Sequence, residues 1–334
     1  MATMKDVAQL AGVSTATVSR ALMNPDKVST ATRQRVEKAV VEVGYSPNSL
    51  ARNLRRNESK TIVVIVPDIS DPFFGDVIRG IEETATEEGY LVLLGDCAQQ
   101  NARERSFVNL VFTKQADGML LLSSNLPFDI SKPEQKNLPP MVMANEFSPE
   151  LELPTVHIDN LTAAFDAVHY LTQLGHKRVA CIAGPSSMPL CSYRTQGYIQ
   201  ALRRAGIAVE ERYMTYGNFT FEAGAQAVSQ LMAQPSPPTA IFCQSDVMAI
   251  GALQQAKKLG FRVPQDLSII GFDDIKFSEF CDPPLTTVSQ PRYEIGRQSM
   301  TLLLNMLKGQ DIGTSSRLLE AKLVVRASAA PPRR

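Results

Sequence analysis

MKDVAQLAGVSTATVSRALMN, residues 4 to 24, decides how this chain is read. Thr3 precedes it and Asp6 stands three positions beyond Thr3, the reciprocal spacing of a capping box. A helix is therefore expected over Met4 to Ala11, with Val7, Leu10 and Ala11 on one face. Gly12 and Val13 make a tight turn. Ser14 then caps a second helix, Thr15 to Met23, whose inward face is Val18, Ala21 and Leu22 and which Asn24-Pro25-Asp26 stops. Small residues at Ala8, Ala11 and Ala16 let two helix backbones approach closely. Two short helices joined by a glycine turn are the pattern of a helix-turn-helix.

With Val18, Ala21 and Leu22 inward, Thr15, Ala16, Ser19 and Arg20 fall on the exposed side, near the N-terminus of the second helix. Arg20 there offers two parallel donors suited to guanine O6 and N7, and Ala16 a methyl suited to the thymine methyl in a major groove. Ser14, Thr17 and Asn24 are better placed for phosphates, helped by the positive end of the helix dipole. The plain alternative is an alanine-rich hairpin with a solvated polar face. Charge favours the first reading. Residues 1 to 60 hold ten basic side chains against five acidic ones, leaving 24 against 29 in the remainder of a chain whose net charge is zero. A basic arm on an acidic body suits an arm that meets a polyanion while the body does something else.

Working outward, Ser29 starts a third helix with Val36, Ala39, Val40 and Val43 at helical spacing, closed by Gly44. After Tyr45-Ser46-Pro47 comes a short amphipathic piece, Asn48 to Arg56, and a polar link to Lys60. From Thr61 the rhythm changes. Strand-length apolar runs alternate with helix-length amphipathic stretches: Thr61 to Val66, Phe74 to Glu88, Leu91 to Gly95, Glu104 to Gln115 and Gly118 to Leu122. A second series begins near Asn160, with strands over Arg178 to Ile182, Ala240 to Cys243 and Leu267 to Ile270 and helices over Thr162 to Leu174, Cys191 to Ala205 and Val247 to Leu259. Such alternation means parallel sheets flanked by helices, and 334 residues hold two such lobes beside the headpiece.

Composition narrows the function classes. Hydrophobic residues at 44% and charged residues at 20% describe a folding, soluble chain. Five widely spaced cysteines without a C-x-x-C indicate neither a disulfide framework nor a zinc site and read as small buried hydrophobes in a reducing cytosol. No signal-peptide core or bilayer-length apolar run is present, so a cytoplasmic location is expected. Residues directly after strands are candidates for a small-molecule crevice: Asp68, Phe73 and Phe74, Asn145, Ser245 and Asp246, and Asp273 and Asp274. The last two can equally cap the helix that follows, and Phe74 can be ordinary core. The carboxylates Asp68, Asp71, Asp96, Asp273 and Asp274 invite a hydrolase reading, a nucleoside-processing enzyme being the one to consider. Against it, there is no P-loop, H-E-x-x-H or G-x-S-x-G, and His157, His169 and His176 lie beside no recognisable nucleophile. No enzyme, metal or cofactor is expected. A solute-binding protein of transport is the nearer rival, and it would need export.

The opening run, VGYSPNSLARNL at 43 to 54, Val64-Ile65-Val66-Pro67-Asp68, Ile158-Asp159-Asn160, Pro237 to Ala240, Leu267 to Asp274 and Pro283 to Thr287 resemble the LacI/GalR family of bacterial repressors over essentially the whole chain. ALMNPDKVS at 21 to 29, PDISDPFFGDVIRGIE at 67 to 82 and the stretch from Met141 to Val168 are most similar to a cytidine-responsive branch. The resemblance implies an all-α helix-turn-helix headpiece over 1–46, a hinge helix and linker over 47–60, and a core over 61–328 of two doubly wound, periplasmic-binding-protein-like lobes. The N-lobe would take about 61–158 and 292–316, the C-lobe about 159–291 and 317–328. It further implies that 48–55 folds as a helix only on double-stranded operator DNA, with Leu54 wedged into the minor groove beside Arg55. An isolated helix that short is marginal in water, and apolar wedges are a known minor-groove device.

By the same resemblance the effector is held at Phe73, Asn145, Arg194, Phe219, Asp273 and Gln290, to which its place after a strand adds Ser245. Arg194 and Asp273 would hydrogen-bond its polar groups, while Phe73 and Phe219 stack on a flat ring. Met188 and Leu190 stand where a purine-binding member carries polar side chains, so base recognition should differ. Cytidine is the implied effector and the cyclic-AMP receptor protein the implied neighbour on DNA. A homodimer is implied too, its contact expected from the apolar helices 74–86 and 295–307, and a dimer rather than a tetramer because no heptad leucine tail follows Val325.

Overall fold

The computed structural model describes residues 2–45, 58–97, 101–123, 138–148, 153–312 and 316–333, the side chains of 101–104 excepted. It divides into two units, Met1–Ser59 and Lys60–Arg334.

In the first unit α1 (Met4–Ala11) begins at the capping box: the Thr3 N–H donates to the Asp6 carboxylate at 2.8 Å and the Asp6 N–H to Thr3 Oγ1 at 3.4 Å. Gly12, at φ 63°, ends it in the left-handed conformation that glycine adopts without penalty. Ser14 caps α2 (Thr15–Met23), a 3₁₀ turn over Pro25–Lys27 follows, and Ser29 caps α3 (Thr30–Val43). The buried core is Val7, Ala8, Ala11, Val18, Ala21, Val36 and Ala39. Leu10, expected on the inner face of α1, is 49% exposed, because the buried stripe rotates toward Ala8, where a small residue lets the helices close up. The hinge segment lies outside the described residues.

The second unit holds two sheets. In the N-lobe β1 (Thr61–Val66), β2 (Leu91–Asp96), β3 (Gly118–Leu121), β4 (Met141–Ala144), β5 (Thr155–Ile158) and β11 (Ser316–Leu319) run in the order β11-β5-β4-β3-β1-β2, every pair parallel. The C-lobe has β6 (Val179–Ala183), β7 (Met214–Tyr216), β8 (Ala240–Cys243), β9 (Ser268–Asp273), β10 (Thr286–Ser289) and β12 (Lys322–Val324) in the order β12-β10-β9-β8-β6-β7. These pairs are parallel except β12, which lies antiparallel on β10 at the edge. The continuous run TIVVIV of β1 is what a strand covered on both faces requires. Because β11 belongs to the first sheet, the last passage between lobes falls after Leu319, not near 316 as the sequence suggested.

The N-lobe helices are α4 (Phe73–Glu87), α5 (Asn101–Phe112) and α11 (Arg292–Leu307). In the C-lobe lie α6 (Asn160–Gln173), α7 (Pro189–Arg204), α8 (Phe221–Met232), α9 (Asp246–Lys258) and the short α10 (Lys276–Glu279). The strand β7 and helix α8 fall in a stretch left unassigned by patterning alone. Helices α4 and α11 cross with backbones almost touching: a Cβ on Gly80 would lie 2.1 Å from the Tyr293 carbonyl oxygen, and one on Gly296 2.0 Å from that of Val77. Their apolar faces, including Val77, Ile81, Ile295 and Leu303, are buried inside this lobe. Those faces are therefore spent on the fold of a single copy. Exposed apolar side chains include Tyr293 at the start of α11, Leu91 on edge strand β2 and Phe277 and Phe280 on and after α10.

Candidate functional site

Two surfaces carry chemistry, one in each unit. On the headpiece, Thr15, Ala16, Arg20 and Asn24 are exposed and Thr17 and Ser19 half-buried, while Val18 and Ala21 turn inward. The Ser14 hydroxyl accepts the Thr17 N–H at 3.1 Å and lies 2.9 Å from the Thr17 hydroxyl. Both groups are thus tied to the cap at the helix end whose free N–H groups attract anions. The Arg20 Nε donates to the Ala16 carbonyl at 3.3 Å, laying the guanidinium along the exposed face. Ser19 leans on the Met23 sulfur at 3.5 Å. Leu54 and Arg55 lie outside the described residues.

In the second unit a cavity of about 510 Å³ opens where strands of both sheets end. From the N-lobe it is lined by the segment after β1, from Pro67 to Phe74, with Leu122 and Ser123 after β3 and Asn145 after β4. From the C-lobe come Pro185 and Met188 after β6, Arg194 of α7, the loop from Asn218 to Glu222, Ser245 after β8 and Asp273 ending β9. Carboxyl ends of parallel strands on either side of a reversal in strand order form such a crevice by geometry alone. Of the effector positions expected from the sequence, Phe73, Asn145, Arg194, Phe219, Ser245 and Asp273 lie together on this lining. Gln290 does not: its amide donates to Asp273 Oδ1 at 2.8 Å from behind.

Arg194 is 2% exposed and held on several sides. Its Nε donates to Asn160 Oδ1 at 2.9 Å, its Nη1 to the Gln244 carbonyl at 2.6 Å, and its plane lies 3.8 Å over the Phe272 ring. Nη1 also stands 3.8 Å from Asp273 Oδ1. Burial lowers the guanidinium from its ordinary value and raises the Asp273 carboxyl well above its own, each opposed by the charge of the other. A ligand with hydroxyl or amino groups would satisfy this pair where water is excluded. Asp273 and Asp274, with φ 115° and 55°, do not cap α10: its N-cap is Ile275 and it lacks a side-chain cap. Asn145 and Phe219 also take left-handed backbone, at φ 67° and 63°, so four side chains at or beside the cavity sit on turns that ordinary residues seldom adopt. Phe73 meets Phe74 edge-on with centroids 5.1 Å apart, and Phe74 belongs to the core as well as to the cavity wall.

Several wall residues escaped sequence reading, among them Ser70, Ser123, Ser187, Asn218, Thr220 and Glu222. Their one available signal was a place just after an apolar run or before a helix. Asp71, noted only as one of several carboxylates, takes the Phe73 N–H at 2.9 Å, and burial and nearby Asp68 raise its carboxyl above the ordinary range. Ser245 is a helix cap, accepting the Met248 N–H at 3.2 Å. The buried Asp246 is pushed up to about 6 by burial, against bonds from Ser278, Thr287 and Ile275. It therefore ties the turn after β9 to α10 and β10 and is not on the cavity lining. All three histidines lie away from the lining: His176, for example, bridges the Thr239 hydroxyl and the Ala330 carbonyl, each at 2.9 Å. Among the described residues no group of three or more His, Cys, Asp or Glu could hold a metal ion, and no helix is long and apolar enough to cross a membrane. Four of the free cysteines are buried and Cys281 is half-buried.

Residues 3–48 match the family described as bacterial regulatory proteins, lacI family, and residues 59–324 the periplasmic binding proteins and sugar binding domain of LacI family. The chain is 68% identical over 327 residues to the HTH-type transcriptional repressor CytR of Escherichia coli K12, covering 98% of this chain and 96% of that one. It is 36% identical to catabolite control protein A of Priestia megaterium, over 98% of both chains. A structure of the Lac repressor dimer bound to operator and the anti-inducer ONPF superposes with a TM-score of 0.87 at 27% identity, over 98% of this chain and 99% of that one. The CelR–cellobiose complex superposes with a TM-score of 0.75 at 32% identity, with the same coverage.

Proposed function

The chain belongs to the LacI family of bacterial transcriptional repressors, and from that membership we propose that it is a cytoplasmic homodimer whose grip on a pseudo-palindromic operator is set by cytidine bound between its lobes. Arg20 and Ala16 read base edges, Thr15 and Ser19 flank them, and Ser14, Thr17 and Asn24 meet phosphates. Leu54 and Arg55 complete the contact in the minor groove. The observation that carries the regulatory half is the buried Arg194–Asp273 pair on the cavity wall, with Phe73 and Phe219 on the same lining. Ribose hydroxyls and the cytosine amino group suit its polar side, and a flat pyrimidine its aromatic side. Exposed Leu91, Phe277 and Phe280 supply apolar surface for a second copy, in keeping with the dimer described for the Lac repressor. The helix-turn-helix unit separates this reading from a solute-binding protein or nucleoside-processing enzyme of the same two-lobed build. The cyclic-AMP receptor protein is the proposed neighbour on the operator, and nucleoside uptake and breakdown genes the proposed targets.

Calorimetry with cytidine, uridine, purine nucleosides and simple sugars, paired with operator titrations, tests this. Cytidine should bind and change operator affinity by about five- to 150-fold, a coupling of roughly 1–3 kcal/mol. Asp273→Ala should weaken cytidine binding and leave operator binding intact. Equal heats for every compound, or none, would remove cytidine as the effector.

A further inference from the structure

Arg292 joins the cavity wall to the opposite lobe. It opens α11, an N-lobe helix, and its side chain is 11% exposed. Its Nη1 donates to the main-chain carbonyls of both Asp273 and Asp274. Its Nη2 donates to Asp76 Oδ2 at 2.9 Å, in the first turn of α4, the helix that Phe73 begins. One planar cation thus touches the C-lobe turn that presents Asp273 and the N-lobe helix whose first residue lines the same cavity.

The turn needs holding. Both of its aspartates have positive φ, a conformation that persists in ordinary residues only when the surroundings over-determine it. Gln290 holds the Asp273 carboxylate and Arg326 the Asp274 carboxylate at 2.8 Å each, while Arg292 holds the carbonyls. Asp76 faces Lys276 at 3.9 Å as well as Arg292. Burial raises the Asp76 carboxyl, but the Arg292 bond and the charges of Arg292, Lys276 and Arg79 outweigh that and lower it overall, so it stays ionised at neutral pH. A guanidinium offers donors in a rigid fork, and a shift of the two carbonyls is passed to Asp76 with little slack.

We infer that Arg292 is a positioning residue of the effector site, and that the cation, bonded to the Asp273 and Asp274 carbonyls across the lobes and to Asp76 within its own, is the tie through which ligand at Asp273 moves the first turn of α4. The inference rests on reading the cavity as the effector site. By reciprocity, the same tie makes the N-lobe conformation adjust ligand affinity.

Asp76→Asn and Arg292→Lys in the full chain test it. Asp76→Asn leaves the carbonyl bonds in place, so cytidine affinity should change little, while the operator response to cytidine, about five- to 150-fold in the parent, shrinks to about twofold or less. Arg292→Lys cannot span both carbonyls and the carboxylate, and should weaken cytidine binding about tenfold or more. Hydrogen exchange on ligand-free protein supplies an independent reading: Asp76→Asn should speed exchange over 73–77 and 273–276 together. A full operator response in Asp76→Asn overturns the inference, and so does faster exchange confined to 73–77. If cytidine fails to bind the parent, the effector assignment falls, and the exchange pattern still supports or overturns the tie.

Discussion

Arg20 and Arg194 carry the same group to opposite ends. Arg20 is exposed with one bond to its own helix, so its remaining donors can meet a base edge. Arg194 is buried, and its fixed bonds to Asn160 and Gln244 leave it pre-set beside Asp273 for a ligand's polar atoms. Arg20→Ala should relax base preference at one operator position, at a cost of about 1–3 kcal/mol there. Competition titrations against single-base operator variants check this, and an equal loss on every duplex would make the contact one to phosphate. His176 makes a different kind of statement. Burial depresses its titration below the ordinary 6.5, opposed by the Ala330 carbonyl. A depressed histidine contributes stability that is full above that ordinary value and is lost as pH falls from there through the lower folded value. The melting temperature should therefore drop more steeply between about pH 7 and about pH 5 in the parent than in His176→Gln, and matching slopes would dismiss the effect.

At the scale of elements, the sequence was most legible where local chemistry acts alone. The Thr3–Asp6 box, the Ser14 and Ser29 caps and the Gly12 and Gly44 stops define three helices within a few residues of chain, and the structure has them at those bounds. Where tertiary packing chooses, reading faltered. Leu10 has the right spacing for a core position, yet the neighbouring helices prefer Ala8 because it lets them approach. Helix α8 went unassigned although Thr220 caps it and Val228 and Leu231 are buried, because FEAGAQAVSQLM is rich in small residues whose value appears only against α9. There a Cβ on Gly224 would lie 2.0 Å from the Met248 carbonyl oxygen. The α4–α11 crossing follows the same rule. Gly80→Ala should destabilise the core by about 3 kcal/mol or slightly less, at the upper end for overpacking, since the obstacle is backbone that cannot rotate away. Denaturant unfolding of the two proteins measures this, and unchanged midpoints would show that the crossing has room.

For the whole molecule, the split into Met1–Ser59 and Lys60–Arg334 matches the charge asymmetry, the excess of basic residues lying in the first part. A chain beginning at Lys60 should fold and bind cytidine with parental affinity but lose operator binding. Circular dichroism and calorimetry check it, and an unfolded product would mean that the headpiece is part of the core. Salt titration of the full chain should show operator affinity falling steeply, as counterions displaced from phosphate require. Sequence alone determined the headpiece and the doubly wound lobes, and strand ends pointed to Phe73, Asn145, Ser245 and Asp273 at the cavity, because caps, periodicity and strand ends are local in origin; Arg194 and Phe219 came from the family resemblance. Only tertiary structure decided that Gln290 stands behind Asp273, that the α4 and α11 apolar faces are consumed within one lobe, and that Arg292 reaches Asp76 from the far side of a lobe crossing. Those contacts join residues up to 216 positions apart, as between Asp76 and Arg292, and no spacing rule reaches across a chain that passes between two sheets.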